Sequence, residues 1–176
     1  MQNYTVRPAT LGDVPAIAAI HIRAWQMAYA GYMADEHLEN LSAEKRQDLW
    51  RDAIEYAEPQ VYVAMGSTKT GEKVVGFVGF DRSRDAKTKS TTGEIWSIYV
   101  DPEHQGTGAG LALWDAAREG LQEEECTDVT IWLLLCNEQA LQFFDTAGFK
   151  REMNTIKTVE VGGAKLEEIR LKRSLA

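Results

Sequence analysis

Hydrophobic and polar residues alternate with two periods along this chain, and each switch of period marks a new element. Residues 4–8 read as a short opening strand. Thr10-Leu11-Gly12-Asp13 has the form of a capping box, with Asp in place of the usual Glu. Behind it, Val14, Ile17, Ala18, His21, Trp25, Ala28 and Tyr29 recur at helical spacing on one face. A second helix is expected over 43–56, with Pro59 barring its continuation. Residues 60–65 alternate as a strand, 67–72 form a turn, and 74–80 return as the other arm of a hairpin. The polar stretch 82–92 predicts a mobile loop. Residues 94–100 are aromatic and β-branched, as a strand requires. Gly110, Leu113, Trp114, Ala117 and Leu121 then trace the buried face of another helix. The nearly continuous apolar run 129–136 predicts a central strand. A helix from Asn137 and two last strands, 149–161 and 164–171, complete the chain, the strands meeting at Gly162-Gly163. The order is βααβββαβαββ, without repeat or linker, which predicts one α/β domain over residues 1–176.

The junction between the strand 94–100 and the following helix carries the most chemistry. Gln105-Gly106-Thr107-Gly108-Ala109-Gly110 places three glycines in five residues. Such a turn brings bare backbone up to a helix N-terminus, whose free N–H groups and positive dipole end suit a phosphate or pyrophosphate. It is not a P-loop, since Leu111 and Ala112 stand where Lys and Ser/Thr are needed. It is not a dinucleotide fingerprint either, since Leu111 occupies the third glycine position. A second block, Asn137-Glu138-Gln139-Ala140-Leu141-Gln142-Phe143-Phe144-Asp145-Thr146-Ala147-Gly148-Phe149, follows the apolar strand. There Asn137 can cap the helix and Gly148 can end it.

The first block resembles the Gln/Arg-x-x-Gly-x-Gly/Ala pyrophosphate loop of the GNAT family of acetyl-CoA-dependent N-acetyltransferases. The second is similar to that family's later signature, Asn-x-x-Ala-x-x-Phe-Tyr-x-x-x-Gly-Phe. The resemblance covers nearly the whole chain and is specific over 94–149. It implies a mixed central sheet of about seven strands flanked by helices on both faces. It also implies direct transfer of acetyl from acetyl-CoA to a primary amine of a small molecule in a ternary complex, assisted by a general base. Within the family the alternative is a protein N-terminal or lysine acetyltransferase. A non-catalytic CoA-binding regulatory or interaction module is the alternative of another class.

The resemblance also distributes roles. The backbone of Ile98 and Val100 would pair with the pantetheine arm. Gln105, Gly106, Gly108, Ala109 and Gly110 would hold the pyrophosphate, Asn137 would touch the arm, and Phe144 would lie beside the cofactor. The family usually has a tyrosine at Phe144 to protonate the departing thiolate. Phenylalanine cannot do so, which leaves water, another residue, or unaided departure of a thiolate.

Glu94 is the expected general base and an acceptor contact, as an acid set in an otherwise apolar strand just before the cofactor loop. Desolvation raises a carboxylate's pKa towards the range a base needs. The alternative for Glu94 is an exposed acid at the strand's start. His21 is the rival base, although a lone histidine on an apolar helix face is more often a core residue. Trp25, Tyr29 and Tyr32 are candidates for an aromatic wall around a cationic amine. Trp25 leans towards core and Tyr32, after Gly31, towards the pocket.

Composition narrows the partners. The 176 residues carry a net charge of −8, which disfavours nucleic acid and favours a cationic substrate. No apolar run approaches a membrane span, and residues 1–7 lack a signal peptide's apolar stretch. Cys126 and Cys136 bracket the apolar strand, so extended chain would separate them by about 25–30 Å, beyond disulfide reach. Two free thiols fit a cytoplasmic protein. The three histidines are scattered and no Cys/His spacing suggests zinc, so no metal is expected. The final hairpin offers an edge on which a homodimer would pair.

Overall fold

A computed structural model describes residues 3–176, so Met1 and Gln2 of the opening segment lie outside the described residues. The elements run β1 (Thr5–Pro8), α1 (Val14–Ala28), α2 (Asp35–Glu39), α3 (Ala43–Tyr56), β2 (Gln60–Thr68), β3 (Gly71–Arg82) and β4 (Thr92–Val100). They continue α4 (Ala109–Glu123), β5 (Asp128–Leu134), α5 (Glu138–Thr146), β6 (Lys150–Val161) and β7 (Ala164–Ser174). Short 3-10 turns precede α1 and α4. The expected order therefore gains one short helix, α2, whose five residues are too few to show a periodic face.

The capping box ahead of α1 forms, with the Thr10 amide donating to Asp13 Oδ2 at 2.8 Å. Ser42 caps α3 by accepting from the Lys45 amide at 3.1 Å. The strands make one seven-stranded sheet in the order β1-β2-β3-β4-β5-β7-β6. Only β4 and β5 pair in parallel; the other neighbours are antiparallel. The apolar strand β5 is interior, as its composition predicts, and β6 is an edge.

Helices cover both faces. Ile17 and Ile20 of α1 pack with Trp50 and Ala53 of α3 against Val61, Val63 and Phe77. On the opposite face, Leu113, Trp114, Ala117 and Leu121 of α4 join Leu141 and Phe144 of α5 over Val78, Ile95, Ile131 and Ile169. Burying a large apolar side chain contributes roughly 1.5–3 kcal/mol. These two layers therefore hold the strands that frame the site.

The loop between β3 and β4, expected to be mobile, is tied down. Arg82 donates to the Ser90 carbonyl, Arg84 pairs with Glu94, and Asp85 accepts from Trp132. Among the described residues, no helix is long and apolar enough to cross a membrane.

Candidate active site

The site arises where the sheet splits. Pairing between β4 and β5 runs from Thr92 opposite Asp128 to Ile95 opposite Ile131 and stops there, although both strands continue. On its other side β4 stays paired to β3, but the register slips so that Gly79 faces Ser97 and Phe80 faces Ile95. Trp96 is thereby left as a bulge, and bulges bend strands. The two strands separate past this bend, and a cavity of about 430 Å³ opens between residues 96–100 and 131–134.

The glycine loop closes one end of the cavity. Gly106 and Gly108 have φ of +73° and +100°, which other residues adopt only with strain. The first intrahelical bond of α4 runs from the Ala112 amide to the Gly108 carbonyl, at 3.1 Å. The amides ahead of it, at Ala109, Gly110 and Leu111, have no partner within the helix and project from its end. The Thr107 hydroxyl links the Tyr4 hydroxyl to the His104 carbonyl and steadies the turn. Gln139 of α5 donates to Gln105 at 3.2 Å across the opening.

Most of the expected cofactor residues meet here: Ile98, Val100, Gln105, Gly106, Gly108, Gly110, Asn137 and Phe144 all line the cavity. Ala109 does not. Its methyl is buried against the core, so only its backbone can serve a ligand. Asn137 caps α5, its Oδ1 accepting from the Ala140 amide at 3.2 Å, while its Nδ2 donates to the Tyr29 hydroxyl at 3.4 Å.

The expected catalytic and acceptor residues are placed differently. Glu94 is 1% exposed and lies outside the cavity lining. Its Oε2 is 2.6 Å from Arg84 Nη2, and its Oε1 accepts the Arg84 amide at 2.9 Å. The carboxylate is thus clamped by a charge-assisted pair beside the cavity lining. His21 is also engaged. Its Nδ1 accepts from Trp50 Nε1 at 3.1 Å, and its ring stacks on Tyr99 with centroids 5.1 Å apart. Burial, aided by the positive charge of Arg46, lowers its pKa to about 4, so it is neutral near pH 7.

The aromatic wall holds Trp25 and Tyr29, which line the cavity, but not Tyr32, which is 52% exposed and outside it. Helical spacing does not carry past Ala28, where α1 ends, and Gly31 at φ +84° turns the chain away. Trp25 donates to the Tyr99 hydroxyl at 2.8 Å. Burial, then the neighbouring Tyr99, push the Tyr29 hydroxyl's pKa up, so it stays protonated. Sequence reasoning missed Trp96, Trp132 and Glu168, which also line the cavity. The alternation of Thr130, Trp132 and Leu134 along β5 was the available signal for Trp132.

Among the described residues, Asp101, Glu103 and His104 bring ligand atoms within 4.8 Å of one another. Asp101, however, is taken by Arg23 at 2.6 Å. Burial acts to raise the Asp101 pKa, but the hydrogen bonds from Arg23 and the Glu103 amide outweigh it and hold the group low. Cys126 and Cys136 are both free thiols, as their separation predicts.

A split parallel pair above a glycine-rich helix N-terminus gives one cavity both an exposed strand edge and a cradle suited to phosphates, the features of a protein that binds a long phosphate-bearing ligand. The family model described as the Acetyltransferase (GNAT) family matches residues 20–149. The chain belongs to that family of N-acetyltransferases. It is 26% identical over 167 residues to the uncharacterized N-acetyltransferase YuaI of Bacillus subtilis, covering 95% of this chain and 91% of the relative. An N-acetyltransferase structure from Staphylococcus aureus Mu50 superposes with TM-score 0.76 at 20% identity, covering 99% of this chain and 100% of the other. A GNAT superfamily phosphinothricin acetyltransferase from Sinorhizobium meliloti, solved with acetyl-CoA, superposes with TM-score 0.74 at 19% identity. That match covers 99% of this chain and 90% of the other.

Proposed function

We propose that the chain binds acetyl-CoA in the split between β4 and β5 and transfers its acetyl group directly to a primary amine of a small molecule. One observation carries this reading: the positive-φ glycine loop opens at the α4 N-terminus into the same cavity as the β4 edge. Gln105, Gly106, Gly108, Gly110 and the Ala109 amide suit the pyrophosphate, and the Ile98–Val100 backbone suits the pantetheine arm. Asn137 and Phe144 flank the arm. Bound acetyl-CoA supplies an activated acyl thioester.

The protein's part is then positioning and polarisation. An amide on the β4 edge facing the thioester oxygen stabilises charge developing there. Holding amine and thioester together supplies much of the acceleration. With Glu94 and His21 engaged elsewhere, the amine's proton leaves through water at the cavity mouth. A covalent acyl-enzyme finds no support, since Cys136 is outside the cavity lining and burial raises its thiol pKa. Trp25 and Tyr29 form the acceptor wall. We place the protein in the cytoplasm on its two free thiols, and a homodimer would pair along β6.

The test is Gly108→Trp. A tryptophan at φ +100° strains the loop by roughly 1–2 kcal/mol and fills the phosphate cradle. The folded variant is expected to lose at least about a hundredfold in acetyl-CoA affinity by calorimetry, close to 3 kcal/mol. Unchanged affinity removes the cofactor assignment. Acetyl-CoA binding by the wild type with no thiol release across amines and peptides returns a CoA-binding module.

A further inference from the structure

On the sheet face that carries α1, Trp132 of β5, Glu168 of β7 and Val161 of β6 continue the cavity wall. Glu168 of β7 stands opposite Leu134 of β5 and Lys157 of β6. It is the one carboxylate among the described residues that line the cavity. Lys157 brings its Nζ to 3.5 Å from Glu168 Oε1. The same Nζ lies 4.4 Å from the centroid of the Trp132 ring, another lining residue. Trp132 is held in place, its Nε1 3.0 Å from both Asp85 oxygens, while Asp85 also accepts from Arg170 at 3.2 Å. An ammonium group therefore already sits where a carboxylate and an indole face converge, two features that favour organic cations.

We propose that Glu168 and Trp132 are the subsite for a second, non-reacting ammonium group of the acceptor, with Lys157 as its resident occupant. The acceptor is accordingly a diamine or longer polyamine. This deepens the acetyl-transfer reading above and rests on it for the position of the reacting end.

Three observations support the assignment. The reacting nitrogen must be neutral to attack, so a fixed carboxylate beside an aromatic face is matched to a charge that stays. Glu168 is also two strands from β4, at least about 10 Å from strand spacing alone, and β4 and β5 have already parted at its level. A monoamine at the β4 edge does not span that gap, whereas a chain with a distal ammonium does. Finally, the Lys157 side chain is 57% exposed. Half-exposed ion pairs are weak, so a soluble dication displaces it. The chain's net charge of −8 draws such a ligand in.

The experiment compares 1,8-diaminooctane, long enough to span the gap, with octylamine, which lacks the distal charge. Acetyl-CoA binding is measured first by calorimetry; its absence in the wild type overturns the underlying acetyl-transfer reading. Calorimetric titration of each amine into the CoA-bound protein follows, with thiol release measured alongside. The wild type is expected to favour the diamine by about tenfold or more, in affinity and in kcat/KM where thiol is released. Glu168→Gln should erase that preference mainly through KM. Lys157→Met, at an exposed position, should strengthen diamine binding by removing the competitor. Equal binding of the two amines by the wild type, or a preference that survives Glu168→Gln, overturns the inference even where acetyl-CoA binds and turns over.

Discussion

The Arg84–Glu94 pair decides whether the buried acid is a base or a brace, and Arg84→Ala separates the two. The truncation keeps the backbone amide bond to Glu94 Oε1 but removes the guanidinium 2.6 Å from Oε2. Glu94's side chain is 2% exposed and Arg84's is 52%. Breaking a fully buried pair costs about 3–5 kcal/mol, whereas exposed pairs contribute about 0–1. With one partner buried and the other half in water, the expected loss lies between, near 2 kcal/mol. It includes about 0.5–1 kcal/mol from the guanidinium over the Trp96 ring, 4.1 Å away. In a domain of this size that is a fall in Tm of about 4–8 °C. Glu94→Gln should cost less, about 1 kcal/mol, because the charge it leaves unpaired, that of Arg84, is half in water. The double variant should be no less stable than Arg84→Ala alone. Urea unfolding followed by circular dichroism reads all three. Arg84→Ala as stable as the wild type refutes the brace. So does a fall in kcat of about a hundredfold or more in Glu94→Gln with an altered pH profile, the size expected on losing a general base.

Two further outcomes are expected. His21 has a pKa of about 4 when folded and 6.5 as its unperturbed value, so the unfolded chain takes up its proton first as pH falls. The associated stability is complete above pH 6.5 and is lost towards pH 4, by about 3 kcal/mol. Wild type should therefore lose that much more than His21→Gln over this window in denaturant titrations, and parallel losses would refute it. Asn137→Ala removes the α5 cap and should cost about 1 kcal/mol by urea unfolding. It should also weaken acetyl-CoA binding by calorimetry, and an unaltered affinity would take Asn137 out of the cofactor site.

What was legible in the sequence was local. The glycine loop, the Asn137 cap and the bounds of α3 each depend on residues within a turn of one another, so spacing alone revealed them. What was hidden depended on chain crossings. Glu94 looks like a free acid in its strand, and only the return of Arg84, ten residues earlier, occupies it. Glu168 reaches the cavity because β7 inserts between β5 and β6, an order that alternation along one strand does not encode. Tyr32 follows Gly31, whose φ of +84° turns the chain away from the cavity, a direction that residue order does not encode. One of the ties that anchor the loop after β3 comes from Trp132, 47 residues on from Asp85.

Phe144 becomes intelligible once the packing around it is considered. It is 1% exposed, edge-on to Phe143 and Phe149 at 5.0 and 5.1 Å, and Phe149 in turn meets Trp114 at 5.0 Å. In so closely packed a cluster, a hydroxyl left buried without a partner would cost about 1–3 kcal/mol. The proposed transfer does not oblige the protein to accept that cost, because a thiol with pKa near 8.5 departs as thiolate without an acid. What the chemistry does need is a cradle in the right place, and the aromatic cluster helps set it. A Cβ on Gly110 would meet the Phe143 ring at 3.3 Å, so α4 starts in direct contact with α5. Phe143, packed edge-on against the Phe144 ring that gives up proton donation, therefore holds the helix N-terminus against the cavity wall, where the proposed phosphate cradle lies.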